Sequence, residues 1–325
     1  MASDDEAAHA FWDEHHHVAE DPDYWMAHPL CREAINRRVS GDPHVWPLDA
    51  FAGFAGRRLG RTLSLGCGLG SLERAARRIN LCETIEGVDG SPASLAQARD
   101  RARDEGLDGI TYTRANLNEL SLPRGTYDAV FFHQSLHHVR SVEKLLARVA
   151  RALAPEGLLY LDEWTGPSRT DWTWPRLTRA RALYAELPRE WRLWPELRFP
   201  IEEDDPSECV RSSAILPTVR RLFHVTAFRP YGGHLVAVLM SQLDRPRIPP
   251  AELDARIRQW LAEEDEDLVR APEQSYYAVL AARPRRGIGA AWAEAANYGV
   301  RLGLAARYRI PAAFDAAFRP ARTGV

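Results

Sequence analysis

Leu63-Ser64-Leu65-Gly66-Cys67-Gly68-Leu69-Gly70 closes a short apolar run and opens a stretch of helical periodicity that starts near Ser71. Glycines between a strand and a helix let the backbone turn sharply and approach a ligand closely. The free N–H groups and positive dipole end of the helix then face that ligand. A GxGxG by itself is a weak signal. Here Gly87-Val88-Asp89 follows about 20 residues on, at the end of a second apolar run, where a carboxylate suits the two hydroxyls of a ribose. Strand, glycine loop, helix, strand and acid together point to a nucleoside cofactor on a parallel sheet. Two cofactors fit. The dinucleotide fingerprint is GxGxxG, and this chain departs from it, with Ser71 and Leu72 after GxGxG.

The pattern extends on both sides of the loop. Thr62–Leu65, Thr84–Val88, Ile110–Arg114, Asp128–Phe132 and Leu158–Leu161 read as five strands. Ser91-Pro92 reads as a helix start, with Ser as N-cap and Pro in the first turn. Val142, Leu145, Leu146, Val149 and Leu153 mark the buried stripe of a helix after Ser141, which stops at Pro155-Glu156-Gly157. Strands alternating with helices of this length predict a parallel sheet covered on both faces. Residues 1–60, rich in Trp, His and Pro, are expected to form an N-terminal helical cap, and 61–164 the nucleoside-binding core. Residues 165–222 break the rhythm and carry Trp172, Trp174, Trp191 and Trp194 just after Trp164, with a helical stripe at Leu177, Ala180, Tyr184 and Leu187. They read as a helical lid over the functional edge of the sheet. Phe223–Phe228 and Tyr276–Ala282 complete the sheet within 223–286, and 287–325 form an Ala- and Arg-rich helical tail.

Composition narrows the function. The 325 residues are 45% hydrophobic and 27% charged, which excludes a disordered chain, a collagen-like repeat and a coiled coil. Net charge is −3, without the basic stripe of a nucleic-acid binder. Lys144 is the only lysine, and the other basic residues are arginines. No apolar run approaches the ~18–20 residues of a membrane-spanning helix. The acidic, aromatic N-terminus resembles neither a secretory nor a mitochondrial signal, so a cytoplasmic location is the expectation. Cys31, Cys67, Cys82 and Cys209 have no metal-site or disulfide spacing.

The motifs LSLGCGLG (63–70), GVDGS (87–91), RANLNEL (114–120), YDAVFFHQSLHHV (127–139) and LLARVARALAPEGLLYLDEW (145–164) resemble, in order, those of class I S-adenosylmethionine-dependent methyltransferases. The resemblance implies a Rossmann-like, doubly wound seven-stranded α/β fold, with S-adenosylmethionine as cofactor and S-adenosylhomocysteine as product. It places Gly66, Cys67, Gly68 and Gly70 around the methionine part, Asp89 on the ribose, and Gly90 and Ser91 beside the adenosine. Asn116 and Leu117 would lie at the adenine, and His133 and Gln134 beside the sulfonium. Ser64 stands where the family commonly has an acid, so that contact is either weakened or supplied by another residue. EWTGPSRTDWTW (163–174), DPSECVRSSAILP (205–217) and RPYGG (229–233) resemble a subgroup associated with bacterial glycan and secondary-metabolite pathways, in which a serine in the first motif is usual.

Methyl transfer is an in-line displacement that chiefly requires alignment of nucleophile, methyl and sulfur. An alcohol nucleophile also requires a base. The candidate bases are His137, His138 and His234, with Glu163 behind them; the histidine pair after the fourth strand also suits a positioning role. Glu163, Trp164, Arg211 and Tyr231 are candidate acceptor-binding residues, and Trp25, Arg37 and Arg38 candidates for closing the cap over the cofactor. No metal is expected: the usual third carboxylate near His133, His137 and His138 is missing, and the resemblance accounts for these histidines without one. His15-His16-His17 reads as solvated surface.

The expected activity is methylation of a hydroxyl of a small metabolite or sugar. N- or carboxyl methylation is the alternative, and a non-catalytic cofactor-binding regulator the alternative of another class. The expected partner is that small acceptor, with neither nucleic acid nor membrane, and the oligomeric state stays open, a homodimer included. No (N/D)PPY-like sequence follows the fourth strand, which disfavours methylation of nucleobase amines.

Overall fold

The computed structural model describes residues 4–15, 24–201 and 204–285. The expected C-terminal tail (287–325), as well as His16 and His17, lie outside the described residues. Seven strands form one sheet: β1 (Leu59–Leu65), β2 (Cys82–Asp89), β3 (Ile110–Arg114), β4 (Tyr127–His133), β5 (Leu153–Trp164), β6 (Phe223–Gly232) and β7 (Tyr277–Pro284). The order is β3-β2-β1-β4-β5-β7-β6, and β7 runs antiparallel to both of its neighbours. The chain leaves β1 first toward β2 and later returns to β4 on its other side. That reversal opens a crevice beyond the carboxyl ends of β1 and β4.

Alternation of side chains explains why this sheet is covered twice. In β4, Ala129 and Phe131 join one buried cluster while Val130 and Phe132 join another on the opposite face. The second cluster is closed by α6 (Val142–Ala152), whose Val142, Leu145, Leu146 and Val149 are all buried, and by α8 (Ile215–Leu222). Thus the last part of the segment expected as a lid packs on the sheet. The glycine loop leads into α4 (Ser71–Arg78), and Ser91 caps α5 (Pro92–Asp104) by accepting the Ser94 amide at 3.0 Å. Leu153 and the Pro155-Glu156-Gly157 segment, expected as the helix's last stripe residue and its stop, lie within β5, which follows α6 directly and shifts register against β4.

The first cluster unites segments far apart in sequence. Helix α1 (Asp4–Glu14) lies against α5, and α2 (Pro29–Ser40) and α3 (Pro47–Ala55) cover the sheet. Helix α10 (Pro250–Arg270) packs against α2 and α9 (Val236–Met240), and α7 (Trp174–Ala185) against α9, with Ile35, Val39, Leu177, Tyr184, Val236, Leu239 and Trp260 in one buried cluster. Trp164, Trp172 and Trp191 are buried there, while Trp174 and Trp194 stay exposed.

One ion pair fastens this cap. Arg38 donates to the fully buried Glu264 at 2.9 Å, to Asp265 at 2.7 Å, and to the carbonyls of Tyr231 and Leu261. Glu264 also receives the amides of Leu235 and Val236. Arg38, expected over the cofactor, is therefore a fastener between α2 and α10. Removing one partner strands the other charge, so Arg38→Ala is expected to destabilise the fold by about 3–5 kcal/mol. A urea midpoint equal to that of the wild type would show that the pair carries no such weight.

Candidate active site

A cavity of about 1400 Å³ occupies the crevice at the ends of β1 and β4. Pockets for a single small molecule are commonly about 300–1000 Å³, so this one has room for a nucleoside and a second substrate. One wall is the glycine loop. Gly66 adopts φ +73°, and a Cβ there would sit 2.4 Å from that of Ser135. The loop must therefore be bare where it meets the β4 turn. Asp89 stands behind it, with one carboxylate oxygen receiving the Gly68 amide and the other the Ser91 amide, both at 2.9 Å. Burial pushes the Asp89 carboxyl up, and these amides act against that. The remaining lone pairs of the two oxygens are available to ribose hydroxyls.

Helix α1 supplies a roof that the sequence reading placed only as part of a general cap. His9 and Trp12 line the cavity. Asp13 accepts the Ser91 hydroxyl at 2.6 Å, and Asp5 accepts the Asn116 and Asn118 amides and the Arg140 guanidinium. Asn116 lines the cavity as expected, but both ends of its amide are engaged: Nδ2 with Asp5, Oδ1 with the Asn118 amide at 3.0 Å. The second lone pair of Oδ1 remains for an adenine amine. Gly90, Leu117, His133 and Gln134 all line the same space.

The opposite wall is built on the β4 turn. Gln134 holds a left-handed φ of +51°, unusual for a non-glycine residue. Its side-chain amide donates to the Asp162 carbonyl and to the Tyr231 hydroxyl, which donates in turn to the Asp162 carboxylate at 2.7 Å. His133 Nδ1 lies 3.3 Å from the same carboxylate. Glu163, at the end of β5 and fully buried, receives the Ser135 and Leu136 amides at 2.6 Å and holds His137 Nδ1 at 2.7 Å.

Two carboxylates from the inserted segment complete the wall. Glu208 stands 3.7 Å from His137 Nε2 and 3.6 Å from His138 Nε2, while Asp205 and Ser207 lie 3.3 and 3.1 Å from His138 Nδ1. The sequence expectation that no carboxylate accompanies the histidines fails because the chain brings these acids from about 70 residues away. His137, His138 and Glu208 offer three ligand atoms within 4.8 Å of one another. The same cluster also balances as a proton-bearing network. Burial lowers the His137 pKa, but Glu208 and Glu163 outweigh it and raise it to about 9. Glu208 is held low, burial being overcome by the two histidines.

Other candidates fall elsewhere. His234 is not among the residues lining the cavity; its Nε2 faces Asp267 of α10 at 3.2 Å, which removes it as a base. Arg211 is exposed and paired with Glu143 of α6, outside the cavity wall. Arg37 lies in the last turn of α2 and does not line the cavity. Trp25, Trp164 and Tyr231 do line it, whereas Glu163 acts from behind through His137.

Two outcomes follow. Gly66→Ala combines a strained φ with a clash and is expected to destabilise by about 1–3 kcal/mol, measured as a lower unfolding midpoint. An unchanged midpoint would mean that the loop is not confined by Ser135. The second concerns pH. Unfolded His137 loses its proton near pH 6.5 and folded His137 near 9. Its stabilisation is therefore complete below about pH 6.5 and is lost as pH rises toward 9. His137→Gln should flatten the fall in urea midpoint over that window; an equally steep fall in the variant would contradict the network.

Residues 63–161 match the family described as Methyltransferase domain. Over 144 residues the chain is 29% identical to 27-O-demethylrifamycin SV methyltransferase of Amycolatopsis mediterranei, covering 43% of this chain and 49% of that protein. Demethylmenaquinone methyltransferase of Thermus thermophilus is 31% identical over 109 residues, 34% of this chain and 49% of that protein. The chain thus spans about half the length of these two curated relatives. In fold it is similar to phosphoethanolamine N-methyltransferase 2 of Haemonchus contortus, solved with S-adenosyl-L-methionine, at TM-score 0.50 and 18% identity over 88% of this chain and 61% of that one. Residues 63–161, which include the glycine loop and Asp89, thus carry a methyltransferase domain of the S-adenosylmethionine-dependent kind.

Proposed function

We propose that the protein transfers the methyl group of S-adenosylmethionine to a hydroxyl of a small metabolite or sugar, with His138 accepting the hydroxyl proton. One observation carries this reading: the glycine loop with Asp89 and the histidine–carboxylate wall face each other across one cavity. The names of the relatives divide between a demethylrifamycin and a quinone as acceptor. The choice of a hydroxyl therefore rests on the histidines.

Gly66, Gly68 and Asp89 would hold the cofactor, whose methyl sits on a positively charged sulfur that departs as a neutral thioether when the acceptor oxygen attacks. His138 lines the cavity, and Asp205 and Ser207 fix its Nδ1, so that Nε2 is the edge available to a proton. Once that proton arrives, Asp205 and Glu208 flank the imidazolium and oppose its charge. His137, already cationic, keeps Glu208 in place. Trp12 packs edge-on against His138 at 5.2 Å between ring centroids, so α1 shields the proton acceptor as well as the cofactor side. Trp194 and Phe199 also line the cavity and offer apolar surface to an acceptor ring.

The test uses cofactor labelled in its methyl group and a panel of hydroxylated metabolites and sugars. Label is expected on oxygen, and His138→Ala should lower kcat by about 10²–10⁴-fold while leaving cofactor affinity unchanged. Label found only on amines, or a variant as fast as wild type, would overturn the assignment of the base. Binding without any transfer would identify a cofactor-binding regulator instead.

A further inference from the structure

Helix α4 hides a carboxylate that no part of the fold accounts for. Glu73 is fully buried, and neither of its oxygens has a hydrogen-bond partner. Such a group is costly to keep in a folded protein unless something meets it. The neighbouring arginines are committed elsewhere. Arg74 donates to the Leu69 carbonyl and to Glu105, Arg77 to the carbonyls of Cys82 and Asp108, and Arg78 to Glu105. The orphan therefore does not belong to an internal ion pair.

Its location gives the explanation. Glu73 follows Ser71 and Leu72 of the cavity wall, in the first turn of the helix that the glycine loop opens. The Ser64 hydroxyl lies close enough to favour its charged form, and Ser64 itself lines the cavity. Ser64 is the position at which the resemblance leads one to expect an acid. In this chain the acid is displaced by one structural layer: β1 carries a small hydroxyl, and the carboxylate stands behind it on α4. A side chain the size of serine leaves room for exactly this arrangement, whereas an acid at both positions would place two buried like charges together.

We propose that Glu73 is the counter-charge for the ammonium group at the amino-acid end of the cofactor, acting through Ser64 as a positioning residue. The inference rests on the methyltransferase reading above. Glu73 itself does not line the cavity, so an ammonium there would donate to the Ser64 hydroxyl, whose O–H turned toward Glu73 couples the two charges. The titratable and charged groups around Glu73 are Arg74 on its own helix, His133 at the end of β4, Ser64 on β1, Tyr112 on β3, Cys67 of the loop and Cys82 on β2. Burial pushes its carboxyl up to about 7, so the ligand-free protein at neutral pH holds a proton there part of the time. Binding of a cation would expel it.

The experiment compares wild type, Glu73→Gln and the double variant Ser64→Asp/Glu73→Gln by calorimetric titration with two probes. S-adenosylhomocysteine carries the ammonium, and 5′-methylthioadenosine has the same nucleoside without it. Glu73→Gln is expected to raise the melting temperature of the ligand-free protein, because it removes the buried charge. It is expected to weaken S-adenosylhomocysteine by about tenfold or more, a charge-assisted bond's worth. Methylthioadenosine affinity should not change, and the double variant should recover the lost affinity. Titration in two buffers of different ionisation enthalpy should show proton release in wild type and none in Glu73→Gln. Equal affinity of wild type and Glu73→Gln for S-adenosylhomocysteine, or equal losses for both probes, would overturn the proposal. Wild type that binds neither probe would overturn the methyltransferase reading itself.

Discussion

Glu163 is the carboxylate around which the candidate site is assembled. It sits at the end of β5 without exposure, where an uncompensated charge would be strongly unfavourable. Compensation comes from the Ser135 and Leu136 amides on one oxygen and His137 on the other. Those bonds fix the turn after β4. Ser135, thus held, donates its hydroxyl to the Leu65 carbonyl and presses against Gly66. One buried anion therefore sets the distance between the cofactor loop on β1 and the histidine pair beyond β4. Methyl transfer depends on such a distance, because the reacting atoms must be held in line at about 3–3.5 Å.

The surrounding helices serve the same end from outside. Helix α1 reaches across the crevice, held by Asp5 at one end and Asp13 at the other. The segment carrying Asp205 and Glu208 comes from the opposite side and meets the histidines. The Trp25 and Tyr277 rings meet at 5.3 Å, tilted by 51°, where cap and sheet join, and Arg38 fastens the cap to α10. Among the described residues no helix is long and apolar enough to cross a membrane.

The parts legible in the sequence are those specified locally. Gly66, Gly68 and Asp89 declared themselves because a tight turn and a strand-end acid impose residue types at fixed spacing. The sheet was legible through its apolar runs, and His137 and His138 through their place after the fourth strand. What escaped was set by contacts between distant segments. Glu208 and Asp205 lie in an irregular stretch without periodicity, and DPSECVRSS drew attention to Arg211 instead of to its own acids. Glu73 reads as an ordinary helix glutamate until its burial is seen. His234 looked chemically promising until Asp267 was found beside it. A polar residue's role depends on its partner, and the partner is a tertiary fact.

The central claim is that the crevice between β1 and β4 is an S-adenosyl cofactor site in which Asp89 holds the ribose. Calorimetric titration of the full chain with S-adenosylmethionine, beside the Asp89→Ala variant, tests it most directly. Micromolar, one-to-one binding that disappears in the variant is the predicted result. Binding of equal strength in the folded variant would contradict the account, since the carboxylate behind the glycine loop would then have no part in holding the cofactor.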